Sequence, residues 1–476
     1  MKRKISSLLL SLLCLQLAAC GSETEGDVTD GAGTDTTTAA ETEEPAPSGD
    51  FEGYTYRLLA QDSYTDIYFM EEATGEVIDD AVYDRNRLME EAFNISIEVT
   101  SEAGNWEGRQ NFIDAVRNTV LSGEDAWDVV APDYYYGMEL AIEGLFINLA
   151  EQSKLNFDEP WWVAGFNDNA IINGKLYGAC GYYSTNSCSN MYLLYYNKTL
   201  HEEYNLPSLY DMVREGKWTH EAFYSMISTV SGDLNGNGEV DDNDLFGLIY
   251  QSHGARSFAP SYGVKYITRT AEGGLEITIN SEKTYDVYDI CYNMLNGQDF
   301  THFINDDNLI NTVFMEGNSL FMANSLSTSV NIRAMEDDFG MIPLPKYDEN
   351  QPEYISYMRG ADIFAIPLTT AEPSRAATLL EAFNYYSYRD VVPLYIETAL
   401  KSKYARDNDS AEMIDLVMQQ SYYDIGFIYG SVISYIADQF GNSICLDNNP
   451  NLSSTIAANM ATYEANLADL LEAFED

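Results

Sequence analysis

Positive charge is what this chain has least of: 25 lysines and arginines stand against 76 aspartates and glutamates, a formal charge of −51. So acidic a surface repels the nucleic-acid backbone and anionic lipid faces, so neither is an expected partner. Histidine is also scarce, with four copies at His201, His220, His253 and His302, none paired at metal-ligand spacing. A Gly-x-Ser-x-Gly elbow is missing, and so is a Gly-Lys-Ser/Thr phosphate cradle. Carboxylates are so numerous that no pair stands out as the acid and nucleophile of a glycosidase. With no catalytic constellation, the chain reads as a non-enzyme.

Long apolar runs are missing too. Leu8 to Leu13 is far shorter than the ~20 residues a membrane helix needs, and no later segment reaches that length. Lys2, Arg3 and Lys4 precede this run and Leu17-Ala18-Ala19-Cys20 follows it, the layout of a cleavable leader over 1–19. Leu-Ala-Ala-Cys resembles the lipobox of bacterial lipoproteins, which implies acylation of Cys20 and a lipid anchor on the outer face of the cytoplasmic membrane. Loss of the three leader cations would take the formal charge to −54. From Gly21 to Asp50 the chain has seven threonines, nine acidic residues and no cation, so 20–50 reads as an anchor cysteine and a disordered tether. Of six cysteines, Cys180, Cys188, Cys291 and Cys445 lie beyond it. A short Cys180–Cys188 bridge and buried free thiols both remain open.

The rest of the chain is rich in core material, at 45% hydrophobic residues, and long enough for two domains. Tyr54–Ala60 reads as a strand, Glu76–Phe93 as a helix, and Ile95, Ile97 and Val99 alternate with polar residues as a second strand. A helix through Phe112, Ile113, Val116 and Val120 ends near Ser122-Gly123, before a short buried strand at Trp127–Pro132. Repeated β-α-β units predict an α/β fold with a mostly parallel sheet, whose strand carboxyl ends are open to a ligand. Strand-like pieces recur within 176–198 and 361–368, and helices at 373–386 and 453–474.

Several stretches together are similar to the family 1 extracellular solute-binding proteins of ABC importers, in their carbohydrate-binding branch. They are Trp127-Asp128-Val129-Val130 leading to Gly144–Leu149, Trp161-Trp162 before Asn173–Tyr177, Tyr195–Lys198 with Gly216–Thr219, Phe314–Phe321 and Phe339–Lys346. The resemblance implies a two-lobed periplasmic-binding-protein-like fold of type II, with the ligand in a cleft between lobes joined by crossing strands. Lobe one would take 51–180 plus 360–420, and lobe two 190–355 plus 421–476. The implied role is capture of a small solute, an oligosaccharide above all, and delivery to the importer's permease by a monomeric protein. A surface enzyme acting on polysaccharide, or a carbohydrate sensor or adhesin on the same fold, are the alternatives.

Five tryptophans and 36 tyrosines suit a sugar, whose C–H faces stack on rings and whose hydroxyls need directional partners. Candidate ligand contacts follow presumed strand ends: Gln61, Asp62 and Ser63 after the first, and Asp133, Tyr134 and Tyr135 after the third. Tyr182, Tyr183 and Asn190 lie in the first presumed crossing, Arg359 and Asp362 in the second. Trp161 and Trp162 read as packing. A separate motif runs from Asp233 to Asp244. Asp233, Asn235, Asn237, Asp241 and Asp244 hold loop positions one, three, five, nine and twelve, Gly238 the sixth, and Glu239 offers a backbone carbonyl at the seventh. This EF-hand-like spacing predicts a structural Ca²⁺, with Asp244 where a bidentate Glu is usual.

Overall fold

The computed structural model of the chain describes residues 47–398 and 407–475. The expected leader, Cys20 and most of the tether lie outside them. Its last residues do not: Gly49 N–H bonds the Ala92 carbonyl, and the Tyr386 hydroxyl donates to the Pro47 carbonyl. The folded body therefore starts slightly before residue 51. No helix among the described residues is long and apolar enough to cross a membrane.

The first sheet forms where the alternating apolar pattern predicts. Strand Tyr54–Gln61 lies between Ile95–Glu102 and Val129–Ala131, all parallel. Helix Val77–Phe93 connects the first pair and ends on Asn94, whose φ of 50° closes it in the left-handed conformation. Helix Arg109–Ser122 connects the next and stops at Gly123. The stretch expected as a strand at 361–368 runs antiparallel to Val129–Ala131 through reciprocal Val130 and Ala365 bonds, and Ile363–Phe364 pairs onward with Ala179–Cys180.

The second sheet is mixed rather than mostly parallel. Thr301–Phe303, Leu245–Tyr250 and Ser319–Ser325 run parallel, while Tyr192–Asn197 lies antiparallel between Ser319–Ser325 and Phe339–Ile342. Every residue of Tyr192–Asn197 is buried, as its unbroken apolar run demands of a strand covered on both faces. Leu245–Tyr250 passes so close to the helix His220–Ile227 that a Cβ on Gly247 would sit 2.1 Å from the Ile227 carbonyl oxygen. Only glycine fits there.

Three segments cross between the sheets. Met191 pairs with Met358, and Ser356–Tyr357 pairs in parallel with Ser421–Tyr422. The two expected crossings are thus joined by a third. Helix Asn408–Gln419, grouped with lobe one by the sequence reading, belongs instead with the second sheet: the Ser410 hydroxyl accepts from Met341 N–H, and Tyr210 bonds both Asp407 and Ser410. All of Cys180, Cys188, Cys291 and Cys445 are free thiols, so the Cys180–Cys188 bridge is not formed. Burial pushes the Cys180 and Cys188 thiols up to about 12. Trp162 is buried as expected, and one carboxylate, Glu381, accepts both neighbouring indole N–H groups at 2.8 and 2.9 Å.

Candidate functional site

Strand direction decides where a ligand can sit. The three parallel strands of the first sheet end on one edge, carrying Asp62 and Ser63, Trp106, and Asp133 with Tyr135. The parallel strands of the second sheet end at Gln251–His253, Asn305 and Asn324. Tyr192, paired with Ser325, starts its antiparallel strand on that same edge. The crossings enter each sheet at these edges, so the two sets of strand ends face one another across the waist.

The first edge is aromatic. Trp106 is 56% exposed, and its ring meets Tyr135 at 5.7 Å and Tyr435 at 6.2 Å, both edge-on. Tyr135 and Tyr435 stack at 5.3 Å with 26° between their planes. The Arg109 guanidinium lies 3.6 Å from the Trp106 ring centroid. Tyr435 adopts φ 53° and follows Ser434 at φ 49°. Two successive side-chain-bearing residues in the left-handed region hold a strained turn, the kind of backbone found at binding sites.

The crossings beside this edge are polar. Arg359 is exposed on the second crossing, within electrostatic reach of Tyr192, Asp307 and Tyr357 and of Tyr64 from the first sheet. Asp133 caps the helix Tyr134–Ile142 by accepting from Tyr135 N–H at 2.8 Å. Its carboxyl is pushed up to about 8, first by burial and then by the charge of Asp362, with Arg359 pulling the other way. Asn190 donates to the Gly360 carbonyl at 3.0 Å, and a Cβ on Gly360 would come within 2.8 Å of the Asp133 carboxylate. Asp133, Asn190 and Arg359 thus converge on one spot from three chain segments.

Other candidate contacts fall elsewhere. Tyr183 is fully buried, stacked 4.4 Å from Phe383 beneath the Arg85 guanidinium, so it packs the core instead of meeting a ligand. Tyr134 is buried and donates to the Arg359 carbonyl at 3.1 Å. Gln61 and Asp362 are buried and bonded to each other at 2.9 Å. Tyr182 is half-buried against Tyr388, with ring centroids 5.4 Å apart. Sequence reasoning missed Trp106, Tyr435, Tyr64, His253 and Asp307. The strand-end rule that found Asp133 applies equally to Trp106, whereas nothing local marks Tyr435.

The loop 233–244 joins Ser231–Gly232 to Leu245–Tyr250 as a hairpin. Gly236 and Gly238 take φ of 73° and 75°, turns that the loop spacing requires. Asp233 accepts from Gly236 and Gly238 N–H, Asp244 from Leu234 and Asp241 N–H, and Asn235 and Asn237 donate to Asp241. Backbone N–H of Asn243, then the side chains of Asn243 and Asn237, hold the Asp241 carboxyl at about 2. The donors are all oxygen and lie within one loop, a composition that suits a hard cation. A cavity of about 190 Å³ adjoins them, lined also by Asp299. Among the described residues, no three carboxylates, imidazoles or thiols gather at metal-ligand geometry.

Comparison with known proteins identifies the family and the fold. The model of the bacterial extracellular solute-binding protein family matches residues 87–385. No curated protein matches by sequence. Among solved structures, the chain is similar to an ABC substrate-binding protein of Listeria monocytogenes in complex with cycloalternan (13% identity, 87% of this chain and 99% of that one, TM-score 0.55). It is similar also to the GacH receptor of Streptomyces glaucescens, solved unliganded and with acarbose (12%, 89% and 99%, 0.56). A third is the galacto-N-biose/lacto-N-biose I-binding protein of Bifidobacterium longum (12%, 87% and 98%, 0.56). At these identities the structural likeness establishes the two-lobed fold, and the match to the family model establishes descent: the chain belongs to the bacterial extracellular solute-binding proteins.

Proposed function

We propose that this protein captures an oligosaccharide between its two sheets and passes it to the permease subunits of an ABC importer. The observation that carries this reading is the pairing of an exposed aromatic platform, Trp106 with Tyr135 and Tyr435, with an adjoining polar cluster of Arg359, Asn190 and Asp133. A pyranose ring has one use for each: its C–H face stacks on rings, and its hydroxyls bond amides, carboxyls and guanidinium. The similar structures bound to cycloalternan, acarbose and lacto-N-biose support the same ligand class. The protein performs no catalysis of its own and acts as a monomer held to the membrane only through acylated Cys20. The 233–244 loop takes one Ca²⁺ through Asp233, Asn235, Asn237, Asp241, Asp244 and the Glu239 carbonyl, and the ion braces the hairpin.

A thermal-shift screen across neutral oligosaccharides, amino acids and peptides tests the ligand class. A sugar present at 100 times its Kd should add about 2.7 kcal/mol of stability. Trp106→Ala should weaken that sugar about 5- to 10-fold, the worth of one ring stack at about 1–1.5 kcal/mol. A shift with amino acids or peptides alone would overturn the carbohydrate reading.

A further inference from the structure

The two main crossings are paired at both ends but not between them. Cys180 pairs with Ile363, and Met191 with Met358. Eleven steps along the first crossing therefore run beside five along the second, so the first must bulge. It does so through the short helix Asn186–Ser189, which is buried throughout.

Asp362 lies opposite this bulge at 1% exposure. Its carboxylate accepts four bonds: Gln61 Nε2 at 2.9 Å, the Tyr68 hydroxyl at 2.8 Å, the Ser184 hydroxyl at 2.6 Å and Asn186 Nδ2 at 2.9 Å. Two donors belong to the bulge. The other two come from the end of the first strand and from the helix Thr65–Tyr68 beside it. Tyr68 is itself fixed, since its carbonyl accepts from Arg85 Nη2 at 2.6 Å and Asn86 Nδ2 at 3.2 Å. Among the described residues, no lysine or arginine donates to Asp362. A buried carboxylate without a cation persists only where donors surround it, and each of these donors would be left unpaired by its loss.

We propose that Asp362 is the positioning residue of the interlobe hinge: it fastens the bulge of the first crossing to the end of the first strand and so sets the angle between the sheets. Regularly paired β-strands resist bending at a point, whereas an unpaired bulge supplies free backbone dihedrals, and hinge motion concentrates at such positions. One carboxylate holding both crossings and the first sheet makes the bulge a defined pivot. Arg359 lies three residues before it, Asp133 pairs with it across a bridge and Asn190 bonds the nearby Gly360 carbonyl, so the angle it sets governs whether they converge. The inference depends on the chain's connectivity and not on the solute, so its failure would leave the carbohydrate reading standing.

The experiment compares amide hydrogen exchange by mass spectrometry in the full chain and in Asp362→Asn, which keeps the side chain's shape. Exchange over 181–190 and 357–362 should rise at least about tenfold, while 192–197, 245–250 and 319–325 keep their rates. Small-angle scattering of the variant should show a broader spread of dimensions than the parent. Unchanged exchange in the crossings, or an increase shared evenly by both sheets, would overturn the proposal. Should Asp362→Asn not fold, Ser184→Ala removes one of the four donors and is judged by the same two outcomes.

Discussion

Replacing Glu381 with Ala removes an acceptor that three N–H groups share. Oε1 takes the Trp161 indole at 2.8 Å, and Oε2 takes the Trp162 indole at 2.9 Å and Asn156 N–H at 3.2 Å. The three losses are unequal. Asn156 is exposed and Trp161 half-buried, so water can replace the carboxylate for both. Trp162 is 2% exposed and wedged 4.8 Å from Phe157, so its N–H is stranded. An unsatisfied buried donor costs about 1–3 kcal/mol, and a rehydrated bond to a charged acceptor loses a fraction of its about 1.5–3. The sum is about 2–3 kcal/mol. With an unfolding entropy of about 2.1 cal/mol/K per residue over the folded body, that lowers Tm by about 2–4 °C. Glu381→Gln retains one acceptor oxygen and should lose about half as much. Both indoles report directly, so urea titration followed by tryptophan fluorescence is the assay. Stability within 0.5 kcal/mol of the parent for Glu381→Ala, or equal losses for Ala and Gln, would refute the reasoning.

The Asp133 carboxyl, raised to about 8 in the fold, binds a proton that the unfolded chain has released above about pH 4. Stability should therefore fall as pH climbs from about 4 to 8, and Asp133→Asn should flatten that decline by at most on the order of 1 kcal/mol per pH unit; identical pH slopes in urea titrations would disprove the shift. Chelation should lower Tm and Ca²⁺ should restore it better than Mg²⁺, because the loop offers flexible oxygen ligands. Asp233→Ala should abolish that response without changing sugar affinity, and an affinity that collapses with the ion would place the loop in the binding site. Cys20→Ala should release the protein from the membrane fraction, and its retention there would exclude a lipid anchor.

What could be read in advance followed from local pattern. The alternation at Ile95, Ile97 and Val99 and the run at Tyr192–Tyr196 each have one regular solution, and the structure adopts it. The strand-end rule put Asp133 and Tyr135 at the carboxyl end of a strand, where the structure has them, because it needs only the direction of one strand. It led to Gln61, and the presumed second crossing led to Asp362, but the two are buried against each other because their environment depends on segments about 300 residues apart, which no local pattern reports. Tyr183 shows the same limit from another side. A tyrosine in a polar crossing suggests a ligand contact, but Phe383 and Phe364, arriving from far downstream, enclose it in core. The third crossing at Ser421–Tyr422 carries too short a strand to leave a signature.

The order of the strands also has a consequence for how the chain matures. The second sheet draws its members from Tyr192 to Ile342, an uninterrupted span, and can close as soon as that span is available. The first sheet begins at Tyr54 yet needs Ile363–Phe364 to cover Ala179–Cys180, so the sheet whose synthesis starts first is finished last. Pairings of such sequence separation form slowly, since a long loop must close before any contact rewards it. A nascent chain stopped near residue 350 holds every strand of the second sheet, still without the helix Asn408–Gln419 that packs on it, and a first sheet that lacks Ile363–Phe364. Export would then move a chain whose amino-terminal half has not yet locked.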